Sequence, residues 1–394
     1  MSYCGESCVG AYASVSRLRL RKWYPQAWSA LAYSRARRHV YDSGAGAFVK
    51  PRKSVARVFP EPLKLRLKRL ADNFDVWLNA RRASGISYLA RPLLKQDDLA
   101  RDLFDRVETK GIHILPVHYY SPVPDTRELR SGDQGWRREV DLADIRFDLQ
   151  KQSELGEAFK AYGEEIKHLP DAEDLRVQGY GLGYGPIEAM VLHCFIRHFR
   201  PKRIIEVGSG VSTVYEANAI YLNAKDGNGP CRLTCIEPFP SDRLRSISEV
   251  SEVIERKVQE VPVDLLRTLE AGDILFIDSS HSVKVGSDVN YLYMNVLPAL
   301  RSGVLVHIHD IYFPYLAPPD MWLFGKMMFW QETVLLKALL SGSREFEVVY
   351  CTSYLHHKEP GKLAETFPSY DPRVHYPQSI WLRKLSPDVA REDK

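Results

Sequence analysis

Cysteines are few and long apolar runs are missing. Six cysteines are scattered through 394 residues without the compact spacing of a disulfide framework, which is typical of proteins of a reducing compartment. Cys4 and Cys8 lie near each other, but no further ligands follow at the spacing of a zinc site. The most apolar stretch, 321–340, is interrupted by charged residues, so no window offers the roughly 18 apolar residues of a membrane-spanning helix. We therefore expect a cytoplasmic protein without a transmembrane segment.

Acidic residues are scarce at the start of the chain. Residues 1–70 hold 15 Lys and Arg against three acids, a local net charge of +12, so the remaining chain carries −8. Such a leader could tether the protein weakly to an anionic surface or direct it to an organelle, or it could be a solvated, partly disordered tail. Because it has no aromatic stacking repeats and no recognition motif, nucleic acid is not the expected partner.

By the pattern of its apolar, proline and glycine residues, the rest of the chain divides into a cap region, a main domain and a short tail. Residues 71–177 are predicted as a helical and irregular cap, residues 178–386 as the main domain, and residues 387–394 as a tail. Apolar residues recur at helical spacing from Glu61 to Val107 and again from Leu149 to Ile166. Between these segments, the two prolines and two tyrosines of 118–125 indicate an ordered loop.

From Pro186 onward, short apolar runs alternate with amphipathic helical patterns. A helix is predicted over 289–300, and the five predicted strands are 203–208, 233–237, 253–258, 274–278 and 304–309. This alternation predicts an α/β fold with a doubly wound, Rossmann-like sheet, preceded by the mostly helical extension and cap. In such sheets, ligands bind at the carboxyl ends of the strands, so the residues that follow the predicted strands are the candidate site.

The first candidate motif runs from Glu206 to Thr213 and contains Gly208, Ser209 and Gly210 between a strand and a helix. Glycines let the backbone turn sharply and approach a ligand closely. A dinucleotide fingerprint would place a third glycine where Thr213 stands. The acid two residues before the first glycine disfavours a pyrophosphate and favours a ligand with a cationic end.

Three further motifs follow the later strands. Glu237 ends the second strand, where a carboxylate can accept both hydroxyls of a ribose. Asp278 and His281 form an Asp-x-x-His motif after the fourth strand, and His309 and Asp310 close the fifth. These carboxylates and imidazoles are expected at one mouth of the sheet. His307, inside the fifth strand, is expected to be an ordinary core histidine.

Together these motifs resemble those of the class I S-adenosylmethionine-dependent methyltransferases, and within them the small-molecule O-methyltransferases that often carry a divalent cation. The resemblance covers roughly 180–384 and rests on Glu206-x-Gly208-x-Gly210, Glu237, Asp278 and the pair 309–310. It implies that S-adenosylmethionine is the methyl donor. The glycine turn, with Ser209 and Thr213, would cradle its methionine part, while Glu206 would help to hold the ammonium end and Glu237 the ribose.

For the acceptor side, the resemblance implies a hydroxyl of a small molecule or sugar-containing metabolite that must lose a proton. Asp278, His281 and Asp310 are the candidate catalytic residues, with Asp278 also near the cofactor. One hypothesis is a divalent cation, Mg²⁺ or Mn²⁺, held by Asp278, His309 and Asp310. Cation-dependent relatives have an oxygen ligand where His309 stands, so His309 favours a metal that accepts imidazole. The other is a metal-free site with His281 or His309 as the base.

Two aromatic segments are candidate walls of the acceptor pocket. Tyr119, Tyr120 and Asp125 would suit a lid or a structural strap, and the residues 312–315 and 322–330 would suit a pocket wall or the core. The alternative functions are another enzyme on the same fold, such as a hydroxylase or a nicotinamide-dependent oxidoreductase, and a binding or scaffold module without turnover. The oligomeric state is left open by the sequence.

Overall fold

A computed structural model describes residues 97–131, 135–181 and 183–386, together with Gly85, Tyr88 and Ala90. The predicted leader, most of the helical pattern of 61–107 and the predicted tail lie outside the described residues. The chain divides into two compact units, Met1–Ile114 and Leu115–Lys394. The first unit contains the helix α1, Asp97–Glu108, in its described part. All further elements belong to the second unit.

A single seven-stranded sheet organises the second unit. Its strands are β1 Arg203–Val207, β2 Arg232–Ile236, β3 Val250–Ile254, β4 Ile274–Ile277, β5 Leu305–His309, β6 Phe346–Cys351 and β7 Ser379–Lys384. Their spatial order is β3-β2-β1-β4-β5-β7-β6. β1 to β5 pair in parallel, whereas β7 runs antiparallel to both β5 and β6. The α/β class and the Rossmann-like sheet are confirmed.

Helices flank the sheet and connect its parallel strands. Those before β1 are α2 Thr126–Ser131, α3 Leu149–Phe159, α4 Gly163–Ile166, α5 Ala172–Val177 and α6 Pro186–Phe199. Those after β1 are α7 Val211–Lys225, α8 Asp242–Arg245, α9 Val263–Leu266, α10 Asp288–Tyr291, α11 Asp320–Leu323, α12 Glu332–Leu340, α13 Thr352–Lys358 and α14 Pro360–Thr366. Among the described residues, none of these helices is long and apolar enough to span a bilayer.

The two faces of the sheet carry separate hydrophobic layers, because successive side chains of a strand point to opposite faces. Ile205 and Val207 of β1 pack in one layer, and Ile204 packs in the other. In the second layer, the rings of Phe195 on α6 and Trp381 on β7 stack at 3.7 Å between centroids, and both side chains are fully buried. Helices therefore cover both faces, and the edge at the carboxyl ends of β1 to β5 is where functional side chains can gather.

Two sequence-based assignments need correction. The third strand was predicted over 253–258 but spans Val250–Ile254. The Arg256 N–H turns back to the Ile254 carbonyl at 2.9 Å, and a 3₁₀ turn at Val258–Glu260 follows, so pairing with β2 ends early. The helix predicted over 289–300 is a composite: after α10 it continues as a π-helix, Leu292–Val296, and a 3₁₀ turn, Leu297–Ala299.

Candidate functional site

The glycine turn lies where β1 and β4 end side by side. Gly208 has φ +83°, and its N–H donates to the Ile236 carbonyl of β2 at 3.0 Å. A Cβ at this position would lie only 1.9 Å from the Asp278 carbonyl oxygen at the end of β4. Only glycine fits here, so the turn brings the three strand ends β1, β2 and β4 to one point. β1 is also the switch point of the strand order, where α/β sheets open a crevice for ligands.

Glu206 lies beneath this turn and holds the start of α7. Its side chain is fully buried, and its two carboxylate oxygens accept hydrogen bonds from the Ser212 and Thr213 hydroxyls at 2.6 Å each. The Thr213 hydroxyl also accepts the Gly210 N–H at 3.0 Å. Burial raises the pKa of Glu206 to about 7. The carboxylate thus fixes the glycine turn to the helix, and direct contact with an ammonium group stays a prediction.

Glu237 follows β2 at the same edge of the sheet and is only partly buried. One of its carboxylate oxygens accepts the Phe239 N–H at 2.8 Å, which orients the side chain within its own turn. Burial raises the pKa of this carboxyl above its ordinary value. A carboxylate held beside a glycine turn has free acceptor capacity for hydroxyl groups, and the ribose contact stays a prediction.

Asp278, His281, His309 and Asp310 come together above β4 and β5. The Asp278 Oδ1 lies 3.2 Å from the His281 Nε2 and 3.4 Å from the His309 Nδ1. The Asp310 Oδ2 lies 3.4 Å from the His281 Nε2 and 3.7 Å from the His309 Nδ1. The sequence predicted these four residues at one mouth. The Asp278 side chain keeps 27% of its surface exposed, so the cluster opens outward.

The two imidazoles and two carboxylates perturb one another strongly. Burial alone would lower the pKa of His309, but the charges of Asp278 and Asp310 outweigh it and raise the pKa to about 9. The same contest of burial against carboxylates raises the pKa of His281 well above its ordinary value. Burial would raise the pKa of Asp278, yet the imidazoles hold it well below its ordinary range. Backbone φ values of +56° at His281 and +54° at Asp310 add strain of the kind that gathers at functional sites.

Glu332, at the start of α12, is a member of this site that the sequence analysis missed. Its side chain is 1% exposed, and its Oε2 lies 2.8 Å from the His281 Nδ1. It stands 22 positions after Asp310, and the only signal around it is the aromatic run that ends at Trp330. A glutamate at a helix start is ordinarily read as favourable to the helix dipole, so this signal did not separate it from a surface residue.

The aromatic segment 322–330 lies beside the cluster. The Trp330 ring centroid is 4.8 Å from that of His281, and the Trp322 ring stacks at 6.1 Å from Trp330. The Lys326 Nζ lies 3.7 Å above the Trp322 ring. Phe313, in contrast, is fully buried in the core, as the alternative interpretation had it. The part of this segment that contacts His281 is therefore the better candidate for a pocket wall.

The predicted lid residues do not contact the cluster. Tyr119 and Tyr120 are 93% and 86% exposed, and the Asp125 carboxylate accepts hydrogen bonds from Arg127. A lid role for this loop stays a prediction. His307 is a buried core histidine, as expected: its Nε2 lies 3.1 Å from the Tyr184 hydroxyl, and burial holds its pKa well below the ordinary value.

The donor set fits a divalent cation. Within the described part of the chain, one ligand atom each from Asp278, His281, His309 and Asp310 lie within 4.8 Å of one another. The buried His309 Nδ1 makes no well-aligned hydrogen bond among the described residues, although Asp278 Oδ1 lies 3.4 Å from it. Two carboxylates and two imidazoles suit Mn²⁺, Fe²⁺ or Zn²⁺ better than Mg²⁺, which prefers oxygen. A bound cation would acidify a hydroxyl placed beside it.

Comparison with known proteins gives three kinds of match. Residues 205–311 match the family model described as a methyltransferase domain. An uncharacterized protein of Archaeoglobus fulgidus is 31% identical over an alignment of 165 residues that covers 39% of this chain and 73% of the relative.

Two solved structures are similar at lower levels of identity. The O-methyltransferase TomG from Streptomyces achromogenes, in complex with SAM, is 17% identical at a TM-score of 0.34 over 61% of this chain and 92% of its own. The O-methyltransferase from Bacillus cereus, in complex with SAH, is 13% identical at a TM-score of 0.35 over 58% of this chain and 99% of its own.

Proposed function

Because this chain belongs to the class I S-adenosylmethionine-dependent methyltransferases, we propose that it transfers the methyl group to a hydroxyl oxygen of a small molecule or sugar-containing metabolite. The observation that carries the choice of acceptor is the cluster of Asp278, His281, His309 and Asp310, which opens beside the glycine turn. A hydroxyl must lose a proton to become a good nucleophile, and this cluster concentrates the groups that favour that loss.

The methyl donor would bind along the edge formed by β1 and β2. Gly208, Ser209 and Gly210 would line its methionine part, because no side chain intervenes at the glycine positions. Thr213 and Glu206 would act from below by holding the turn at the start of α7. Glu237 would accept the two ribose hydroxyls. In this arrangement the methyl group would point toward Asp278, whose backbone already contacts the turn.

The reaction is a displacement at the methyl carbon. The acceptor oxygen forms a bond to the methyl carbon while the carbon–sulfur bond breaks, and that electron pair stays on sulfur. The hydroxyl proton leaves the acceptor, so the products are the methyl ether, S-adenosylhomocysteine and one proton. Asp278, His309 and Asp310 would hold a divalent cation, which when bound lowers the pKa of a neighbouring hydroxyl. Trp330 and Trp322 would exclude water from the acceptor side.

The proposal is tested by acceptor screening with purified full-length protein, S-adenosylmethionine and hydroxylated metabolites. We expect S-adenosylhomocysteine and a product heavier by one methylene in equal amounts, with the new methyl on oxygen. Asp310→Asn should lower turnover by about two orders of magnitude or more while S-adenosylhomocysteine still binds, since Asp310 lies on the acceptor side. Methylation on nitrogen or carbon would overturn the choice of acceptor. Binding of NAD in place of S-adenosylhomocysteine would favour the oxidoreductase alternative.

A further inference from the structure

His281 is enclosed by carboxylates at both ring nitrogens. Its Nδ1 faces Glu332 at 2.8 Å, and its Nε2 faces Asp278 and Asp310 at 3.2 and 3.4 Å. The side chain is only 5% exposed. The backbone is fixed as well, because the Gln331 N–H donates to the His281 carbonyl at 3.1 Å. A general base needs a nitrogen that faces its substrate, whereas both ring nitrogens of His281 face carboxylates of this chain.

Glu332 fixes the proton on one of these nitrogens. A carboxylate accepts hydrogen bonds and donates none, so the Nδ1 that faces it carries the hydrogen. Glu332 lies in the first turn of α12, so its place beside His281 is set by the start of that helix. The other oxygen of Glu332 has no well-aligned hydrogen-bond partner among the described residues, and the buried Tyr293 side chain lies near the same carboxylate. Because Glu332 keeps the proton on Nδ1, the neutral His281 ring has its lone pair on Nε2.

The Nε2 side is where the other donors converge. Ligands of one transition-metal ion lie about 2.0–2.2 Å from it, and therefore roughly 3–4 Å from each other. The distances of 3.2 Å and 3.4 Å from Nε2 to the two carboxylate oxygens fall in this range, as does that of 3.4 Å from the His309 Nδ1 to Asp278. Metal-bound histidines ordinarily donate their second N–H to a carboxylate, which is the contact that Glu332 makes.

We propose that His281 is a ligand of the divalent cation through Nε2, and that Glu332 is the positioning residue that keeps the Nδ1 proton in place. The ion would be of the class that accepts imidazole, such as Mn²⁺, with His309 as its second nitrogen ligand. The inference rests on the proposed function only for the role of the ion in methyl transfer. The binding of the ion itself can be measured without that function. His281 is then not the base of the reaction, and the acceptor proton leaves by another route.

The test is to measure Mn²⁺ binding by the metal-stripped full-length chain. Calorimetry gives the affinity, and electron paramagnetic resonance detects the nitrogen ligands. Wild type should bind one Mn²⁺ with nitrogen couplings from two imidazoles. His281→Ala should retain one nitrogen coupling, and both His281→Ala and Glu332→Gln should weaken binding by about 10–100-fold. The matched control is Glu165→Gln, since Glu165 lies 2.8 Å from the His193 Nε2 away from the cluster. That variant should bind Mn²⁺ as wild type does.

Three results would overturn the inference. Wild type that binds no Mn²⁺ would remove the site, and Mn²⁺ bound with both nitrogen couplings by His281→Ala would remove His281 as ligand. Glu332→Gln with wild-type affinity would remove the positioning role. The same samples are also titrated with S-adenosylhomocysteine, whose proposed site is at β1 and β2. A failure of the cation site can then be distinguished from a failure of the proposed function. If His281→Ala does not fold by circular dichroism, Glu332→Gln and His281→Gln decide the question.

Discussion

Gly208 allows the sharpest single test of how the site is built, through Gly208→Ala. The added Cβ would lie 1.9 Å from the Asp278 carbonyl oxygen, so β1 and β4 would have to separate by more than an ångström. Overpacking of this kind costs about 1–3 kcal/mol. Alanine at φ +83° costs about 1–2 kcal/mol more, because its Cβ crowds the following carbonyl in left-handed backbone. We expect the free energy of unfolding to fall by about 2–5 kcal/mol.

The matched control is Gly227→Ala. Gly227 has φ +80°, close to the φ of Gly208, but apart from its chain neighbours no heavy atom of the described residues lies within 4 Å of its added Cβ. This variant carries only the left-handed cost of about 1–2 kcal/mol. Urea unfolding of wild type and both variants measures the difference in unfolding free energy. A shift of the midpoint is interpreted as a change in stability if the dependence of that free energy on urea concentration stays the same. Gly208→Ala should also lose affinity for S-adenosylhomocysteine while Gly227→Ala keeps it. Equal destabilisation of the two variants would refute the packing of β1 against β4 described here.

Two further predictions concern buried charges. Arg197→Ala removes the partner of the partly buried Glu165 and of the solvent-exposed Asp226. The loss at Glu165 alone should cost about 2–3 kcal/mol of unfolding free energy, less than for a fully buried pair because Glu165 keeps 26% of its side chain exposed. Arg197 lowers the pKa of both carboxyls in the folded chain, so its contribution to stability is present above their unfolded pKa values and is lost as the pH falls below about 4. Urea unfolding should therefore show a smaller difference in unfolding free energy between wild type and variant at pH 3 than at pH 7. The same difference at both pH values would contradict the assignment. Burial raises the pKa of Glu206 to about 7 in the folded chain, so wild type should lose stability as the pH rises from about 5 to 7. Glu206→Gln should have a shallower slope in this window, and the buried neighbour Glu216, whose pKa is also raised, contributes the remainder. An unchanged slope in the variant would place the titration elsewhere.

The sequence predicted the parallel half of the fold well. Buried parallel strands read as short apolar runs, and four of the five predicted strands overlap the observed ones closely. β3 was displaced because it lies at the edge of the sheet, where burial is weaker, and its first half contains the polar Ser251 and Glu252, so no apolar run marks where it begins. β6 and β7 were not predicted. β7 pairs antiparallel with both β5 and β6 and lies between them, and neither this pairing nor this order can be predicted from the alternation of strands and helices.

The site was predicted in its members but not in its contacts. Asp278, His281, His309 and Asp310 follow strands that are neighbours in the sheet, so their proximity follows from topology. Glu332 could not be predicted, because its approach to His281 depends on how the aromatic segment before α12 folds back over β4 and β5. The inward orientation of Glu206 was also invisible in the sequence, since it depends on the Ser212 and Thr213 hydroxyls at the start of α7.

Calorimetric titration of the metal-stripped protein with S-adenosylhomocysteine, with NAD as the comparison ligand, tests directly whether the chain binds the methyl donor. We expect micromolar binding of S-adenosylhomocysteine at one site per chain, about −8 kcal/mol, and none of NAD. Glu237→Ala should weaken that binding at least about tenfold, because two ribose hydroxyls lose their acceptor. Absence of S-adenosylhomocysteine binding, or preferential binding of NAD, would rule out methyl transfer from S-adenosylmethionine as the activity of this chain.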